Sequence, residues 1–243
     1  MTAQLAFDLP VRTAFGRYDF FVSEANRDAL AMVDQHAPWA AGRLILSGPV
    51  GAGKTHLAAM WVGQTGGVMV DGGLFTADAG RLVDLAGKRA VAVDNADHVA
   101  GQPGAEQALF HLCNLAQEHG MPLLMTATAG PRDWGIALPD LASRMQASAL
   151  AQMSLPDDAL LASVMIKMFA DRQVAVDPTL VAYLVARMDR TFAAARAVVA
   201  MLDRMSLERR APISRALAAE ALCHLFDTIP CHAPQQMNWI DDP

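Results

Sequence analysis

The chain has 243 residues, 53% of them hydrophobic and only 6% aromatic, and carries a formal net charge of −6. That is enough material for one large domain or two modest ones, with Ala, Leu, Val and Met filling the interior. The acidic balance argues against broad, sequence-blind nucleic-acid binding. No run of about 18 apolar residues is present to span a bilayer, and the N-terminus lacks the order of a secretory signal.

Residues 1–17 read as an arm. Gln4-Leu5-Ala6-Phe7-Asp8-Leu9-Pro10 places three large apolar side chains on it. Such an arm either docks on its own domain or enters a groove on another protein, and the residues leave both open. A domain over 18–155 follows. Ser23 is a candidate N-cap for a helix running to about His36, and Arg43 to Ser47 reads as a short buried strand.

Gly48-Pro49-Val50-Gly51-Ala52-Gly53-Lys54-Thr55 then fits G-x-x-x-x-G-K-[ST] at every fixed position, with the helix from Thr55 directly behind it. A nucleoside triphosphate packs several negative charges into a small volume. Backbone N–H groups, a helix N-terminus and one ammonium are suited to meet them. Lys54 reaches the β and γ phosphates, and the Thr55 hydroxyl is placed for Mg²⁺. Gly66-Gly67 stops the helix, Val68 to Val70 makes a second strand, and Ala77 to Ala86 a short helix closed by Gly87.

Ala90 to Asn95 is an apolar strand ending in Asp94, whose carboxylate is suited to orient Mg²⁺ through water. Asn95 stands where many ATPases of this architecture carry a carboxylate. An amide can hold a water but cannot take its proton, so slow hydrolysis by the chain alone is expected. A helix over 104–120 carries His111 and His119, both read as surface or boundary residues. The strand Pro122 to Thr128 ends in hydroxyls, and either Thr126 or Thr128 is placed to sense a γ-phosphate or position a water. Leu138 to Arg144 makes a short turn or helix, and Ala147 to Met153 the last strand. Strands alternating with helices predict an α/β fold with a mainly parallel sheet and its ligand at the strands' carboxyl edge.

Past a hinge near residue 155 the pattern becomes all-helical, over 157–172, 178–187, 191–207 and 213–226, giving a small domain over 156–229 and a tail over 230–243. Asp177-Pro178 is a helix start, and Arg204, Arg209, Arg210 and Arg215 read as a solvated face. Cys113, Cys223 and Cys231 are scattered and odd in number, which fits reduced thiols and a cytoplasmic location. The Cys223-His224 and Cys231-His232 pairs match no zinc spacing.

A phosphate-loop αβ domain followed by a four-helix lid resembles the AAA+ family. Gly53-Lys54-Thr55-His56-Leu57 is similar to the initiator and helicase-loader branch. Phe20-Phe21-Val22, before a helix start containing Asn26, resembles the N-terminal signature of DnaA-type domains. Leu141-Ala142-Ser143-Arg144-Met145 resembles the segment that carries their arginine finger. The likeness runs over about 18–226, with no helix-turn-helix domain after it. The expectation is therefore a single-module negative regulator of replication initiation that inactivates DnaA.

The resemblance implies bound ADP or ATP with Mg²⁺, a nucleotide site formed by residues 48–56 with Asp94 and Thr126, and a trans catalytic role for Arg144 on the ATP of DnaA, with Asn95 at the water position. It turns the arm into a sliding-clamp peptide in which Gln4, Leu5, Phe7 and Leu9 enter the clamp groove, so that DNA is met indirectly through the clamp. It also implies a lid arginine on the nucleotide, for which Arg190 and Arg196 both offer themselves and Arg196 is favoured. Self-association stays open. A helicase-loader type of assembly factor and a self-sufficient ATPase are the competing readings. A small-molecule kinase is disfavoured, because no acceptor-binding loop follows the phosphate loop.

Overall fold

The computed structural model describes residues 22–34, 39–74, 85 and 87–226. The arm with Gln4, Leu5, Phe7 and Leu9, the short helix expected over 77–86 except residue 85, and the tail lie outside them.

Five strands build one sheet: β1 (Arg43–Ser47), β2 (Val68–Asp71), β3 (Val91–Asp94), β4 (Leu123–Ala127) and β5 (Ala149–Gln152), in the order β2-β3-β4-β1-β5. The pairs β1–β4, β3–β4 and β2–β3 are parallel. β1 and β4 are buried along their whole length, as central strands of a sheet covered on both faces must be. The register sets Ser47 beside Ala127 and Asp71 beside Asp94, so the carboxyl ends of these strands share one edge.

The helices are α1 (Arg27–Val33), α2 (Lys54–Thr65), α3 (Pro103–Glu118), α4 (Pro139–Gln146), α5 (Asp158–Asp171), α6 (Pro178–Val185), α7 (Phe192–Arg209) and α8 (Arg215–Leu225). The chain divides into two compact units. One is drawn from 29–47 and 54–151 and contains β1 to β4, α2, α3 and α4. Its core joins Ile45, Val91, Val93, Leu123 and Met125 of the sheet to Leu109, Leu112, Leu141 and Met145 of α3 and α4. The other unit is drawn from 22–28, 48–53 and the described residues from 152 onward. Leu161, Phe169, Leu184, Val198, Leu202 and Leu222 fill its helical core. One unit is thus an α/β layer built on a mainly parallel sheet, and the other is small and mainly helical.

Ser23 caps the turn that leads into α1. The helix begins at Arg27, and Ser23 opens a turn before it. The Ser23 hydroxyl accepts from the Ala25 N–H at 3.2 Å, and the Asn26 side chain accepts from the Ser23 N–H at 2.9 Å. With the Arg27 N–H donating to the Ser23 carbonyl at 3.0 Å, these are the reciprocal bonds of a capping box. His111 and His119 are exposed. Cys113 is buried and free, and burial pushes its thiol up to about 11. Among the described residues no helix is long and apolar enough to cross a membrane.

Candidate functional site: a glycine loop and a carboxylate edge

The loop 48–53 leaves β1 with positive φ at Gly51 and Gly53, +86° and +93°. Both positions also lack room for a side chain. A Cβ on Gly51 would stand 2.6 Å from Thr191 Cγ2, and one on Gly53 would stand 3.1 Å from the Phe192 ring. Glycine is required there by conformation and by packing together. Thr191 is itself the N-cap of α7, its hydroxyl accepting from the Ala194 N–H at 3.0 Å. Within the loop, the Ala52 N–H donates to the Pro49 carbonyl at 3.2 Å. Val50 is exposed, whereas Ala52 is buried.

Lys54 and Thr55, the first two residues of α2, belong with the sheet unit. Lys54 is only 7% exposed. Burial lowers its pKa below the ordinary lysine value, while Asp97 and then Asp94 hold it up. The Thr55 hydroxyl donates to Asp94, 2.9 Å from Oδ1 and 3.0 Å from Oδ2. The Thr126 hydroxyl donates to Asp94 Oδ1 at 2.5 Å, and the same hydroxyl oxygen accepts from the Asn95 N–H at 2.9 Å. A hydroxyl has one proton and two lone pairs. With its proton on Asp94, Thr55 presents only lone pairs outward. An oxygen acceptor beside a carboxylate suits a hard divalent cation that keeps several of its waters, so the donor set fits Mg²⁺.

Asn95 adopts the left-handed conformation, φ 53° and ψ 46°, which asparagine tolerates better than most residues. Its amide donates to Asp71 Oδ2 at 3.4 Å, and Asp71 Oδ1 accepts from the Gly73 N–H at 2.8 Å. Asn95 is therefore engaged with the end of β2. Thr128 does not contact Asp94. Its N–H donates at 2.8 Å to Asp97 Oδ2, and its hydroxyl makes a shorter bond to the same oxygen. Asp97 is the residue that sequence reasoning missed. It lies in a 3-10 turn, Ala96–Val99, directly after Asp94 and Asn95. The available signal was a second aspartate three residues beyond the strand-end aspartate.

The remaining candidates lie elsewhere. Arg144 on α4 is half-buried and rests on α3, 4.7 Å over the Phe110 ring, with a 3.4 Å contact to Gln117 Oε1. Arg190 is held by Asp158, with Nε 3.0 Å from Oδ1 and a second nitrogen 3.2 Å from Oδ2. Arg196, one turn into α7, is exposed and makes no ion pair among the described residues. His56 is half-buried on α2.

No protein-family model matches the sequence. Among solved structures, domain III of the Thermotoga maritima replication initiation protein DnaA superposes with a TM-score of 0.76, covering 89% of this chain and 98% of that one at 18% identity. AMPPCP-bound DnaA from Aquifex aeolicus gives 0.63, over 88% of this chain and 83% of that one, at 14% identity. The Thermotoga maritima RuvB Holliday junction branch migration motor gives 0.61, over 75% and 61%, at 18% identity. The shared property at these identities is the fold, a DnaA-like AAA+ fold.

Proposed function

We propose that this protein is a nucleotide-binding regulator of chromosome replication initiation, of the type in which one AAA+ module inactivates DnaA. The observation that carries the proposal is the Lys54–Thr55–Asp94 arrangement, which follows the glycine loop in the sequence. Buried Lys54 supplies the ammonium for the β and γ phosphates, and loop N–H groups supply the remaining donors. Thr55 and Asp94 hold Mg²⁺, which when bound neutralises charge on the phosphates. The fold shared with a DnaA that binds AMPPCP supports ATP or ADP as the ligand. Arg196 is the lid arginine in this reading, since Arg190 already has a carboxylate partner.

The finer roles rest on the sequence. The arm would enter the sliding-clamp groove through Gln4, Leu5, Phe7 and Leu9, each apolar side chain burying surface worth about 1.5–3 kcal/mol before ordering costs. Arg144 would leave Phe110 and reach the ATP of a bound DnaA. A trans arginine stabilises charge developing on the transferred phosphoryl group and is worth about 10³–10⁵ in rate, or about 4–7 kcal/mol.

The test is DnaA ATP turnover measured with clamp, DNA and this protein. Stimulation that Arg144→Ala removes, with clamp co-migration that Gln4→Ala removes, supports the reading. An Arg144→Ala protein of undiminished potency overturns the trans chemistry, and a Lys54→Ala protein that still retains nucleotide overturns the site.

A further inference from the structure

We propose that Asp97 is a catalytic carboxylate of the phosphate site, accepting the proton of the water that attacks the terminal phosphate of this chain's own ATP. The proposal rests on the nucleotide reading above and goes beyond it, because it gives the chain a hydrolytic group that Asn95 cannot provide. The Asn95 amide has no site to take a proton from water, and it is turned toward Asp71. The 3-10 turn that follows brings the next carboxylate to the end of β4, where Thr128 fixes it with two bonds to Oδ2.

Both of those bonds use the same oxygen. Oδ1 is buried and has no hydrogen-bond partner among the described residues. A carboxylate oxygen shut away without a donor costs free energy, so its place in the fold calls for a donor that arrives with the ligand. An attacking water is such a donor. Asp97 also acts electrostatically on Lys54, ahead of Asp94. The ammonium assigned to the β and γ phosphates would offset the repulsion between Asp97 and the terminal phosphate.

In the step, the water oxygen bonds to the terminal phosphorus while the bond from that phosphorus to its bridging oxygen breaks. The electron pair stays on the departing ADP. The water proton passes to Asp97 Oδ1 and later returns to solvent, leaving inorganic phosphate. Thr128 holds the carboxylate in place and is a positioning residue.

The experiment uses the full chain in two parallel measurements: single-turnover phosphate release from stoichiometric ATP, and equilibrium titration with a fluorescent ADP analogue. For Asp97→Asn the expected result is phosphate release slowed about 100-fold or more, the range of a lost general base, with the analogue's affinity changed less than about threefold. Thr128→Val, which keeps the carboxylate and removes one anchor, is expected to slow release about tenfold at unchanged affinity. If Asp97→Asn does not fold, Thr128→Val decides by the same criterion. Phosphate release at the wild-type rate in these variants, analogue affinity lost in step with turnover, or a wild type that holds the analogue without releasing phosphate would each overturn the proposal. A wild type that binds no analogue overturns it together with the nucleotide reading.

Discussion

The helices of the two units begin in different ways. In the helical unit α5, α6, α7 and α8 each carry their own side-chain cap: Asp157, Asp177, Thr191 and Ser214 accept from the N–H groups of Leu160, Thr179, Ala194 and Leu217. In the sheet unit α3 and α4 start with proline in the first turn and no capping side chain. One carboxylate serves the approaches to both. Glu106, only 1% exposed, accepts from the Gly101 N–H at 2.8 Å, from Ala137 at 3.0 Å and from Leu138 at 2.7 Å. Buried polarity follows the same division. Arg43, Ser47, Lys54, Glu106 and Thr126 are buried in the sheet unit, whereas in the other unit Asn26 is the one buried polar side chain among the described residues. The helical unit is held by local caps and apolar packing. The sheet unit spends burial on groups that reach across the chain, and the helix bearing Arg144 starts directly after residues that Glu106 ties down.

The strongest way to break this contrast is to remove the shared carboxylate. Glu106→Ala leaves three backbone donors without their partner at about 1–3 kcal/mol each, reduced by whatever water enters. An unfolding free energy lowered by about 3–5 kcal/mol in a denaturant titration is expected, at the high end for a single substitution. A loss below about 1 kcal/mol would mean that the loops hold themselves.

Glu106 also makes a pH signature. Burial pushes its pKa up, but the three N–H bonds outweigh burial and hold the carboxyl below its ordinary value. A group depressed in the folded state binds its proton more readily when unfolded, so its contribution is fully present above the unfolded pKa of about 4.3 and disappears as pH falls through the lower folded value. The stability gap between the wild type and Glu106→Gln should therefore be constant between about pH 7 and pH 5, then narrow on further acidification. A gap that widens in acid would contradict the sign.

Legibility in the sequence divides along the same line. The glycine loop, β1, β3 with Asp94, and the four helices of the second unit were readable because each is encoded within a few residues: a motif, an apolar run, a cap followed by a 3.6-residue period. Asp97 and Glu106 escaped because their partners, Thr128 and residues 137–138, lie 31 or 32 residues away. Before folding, both look like ordinary acidic residues near a helix start. Arg144 was legible as a motif residue, but its resting place on Phe110 depends on how α3 and α4 pack. The ion pair of Arg190 was out of reach of the sequence, since Asp158 lies 32 residues upstream.

A local cap should cost less than the shared carboxylate. Ser214→Ala removes the single bond from Leu217 and is expected to lower stability by about 1 kcal/mol, measurable in the same titration. A cost equal to that of Glu106→Ala would erase the distinction between the units.

The smallest effect concerns Thr191, which caps α7 and also faces the glycine loop. Its hydroxyl does the capping, whereas its methyl carbon lies where a Gly51 side chain would go. Thr191→Ser keeps the hydroxyl and removes the methyl, so its stability should stay within about 0.5 kcal/mol of wild type. Gly51→Ala in the wild-type background meets both methyl and Cβ of Thr191 as well as the penalty of positive φ of about 1 kcal/mol, while in the Thr191→Ser background the methyl is gone and only the Thr191 Cβ, 2.7 Å from the same point, still crowds it. A double-mutant cycle should therefore show favourable coupling between the two positions, above the roughly 0.3–0.5 kcal/mol within which independent sites add. Additive costs would mean that the Thr191 methyl takes no part in the demand for glycine at position 51.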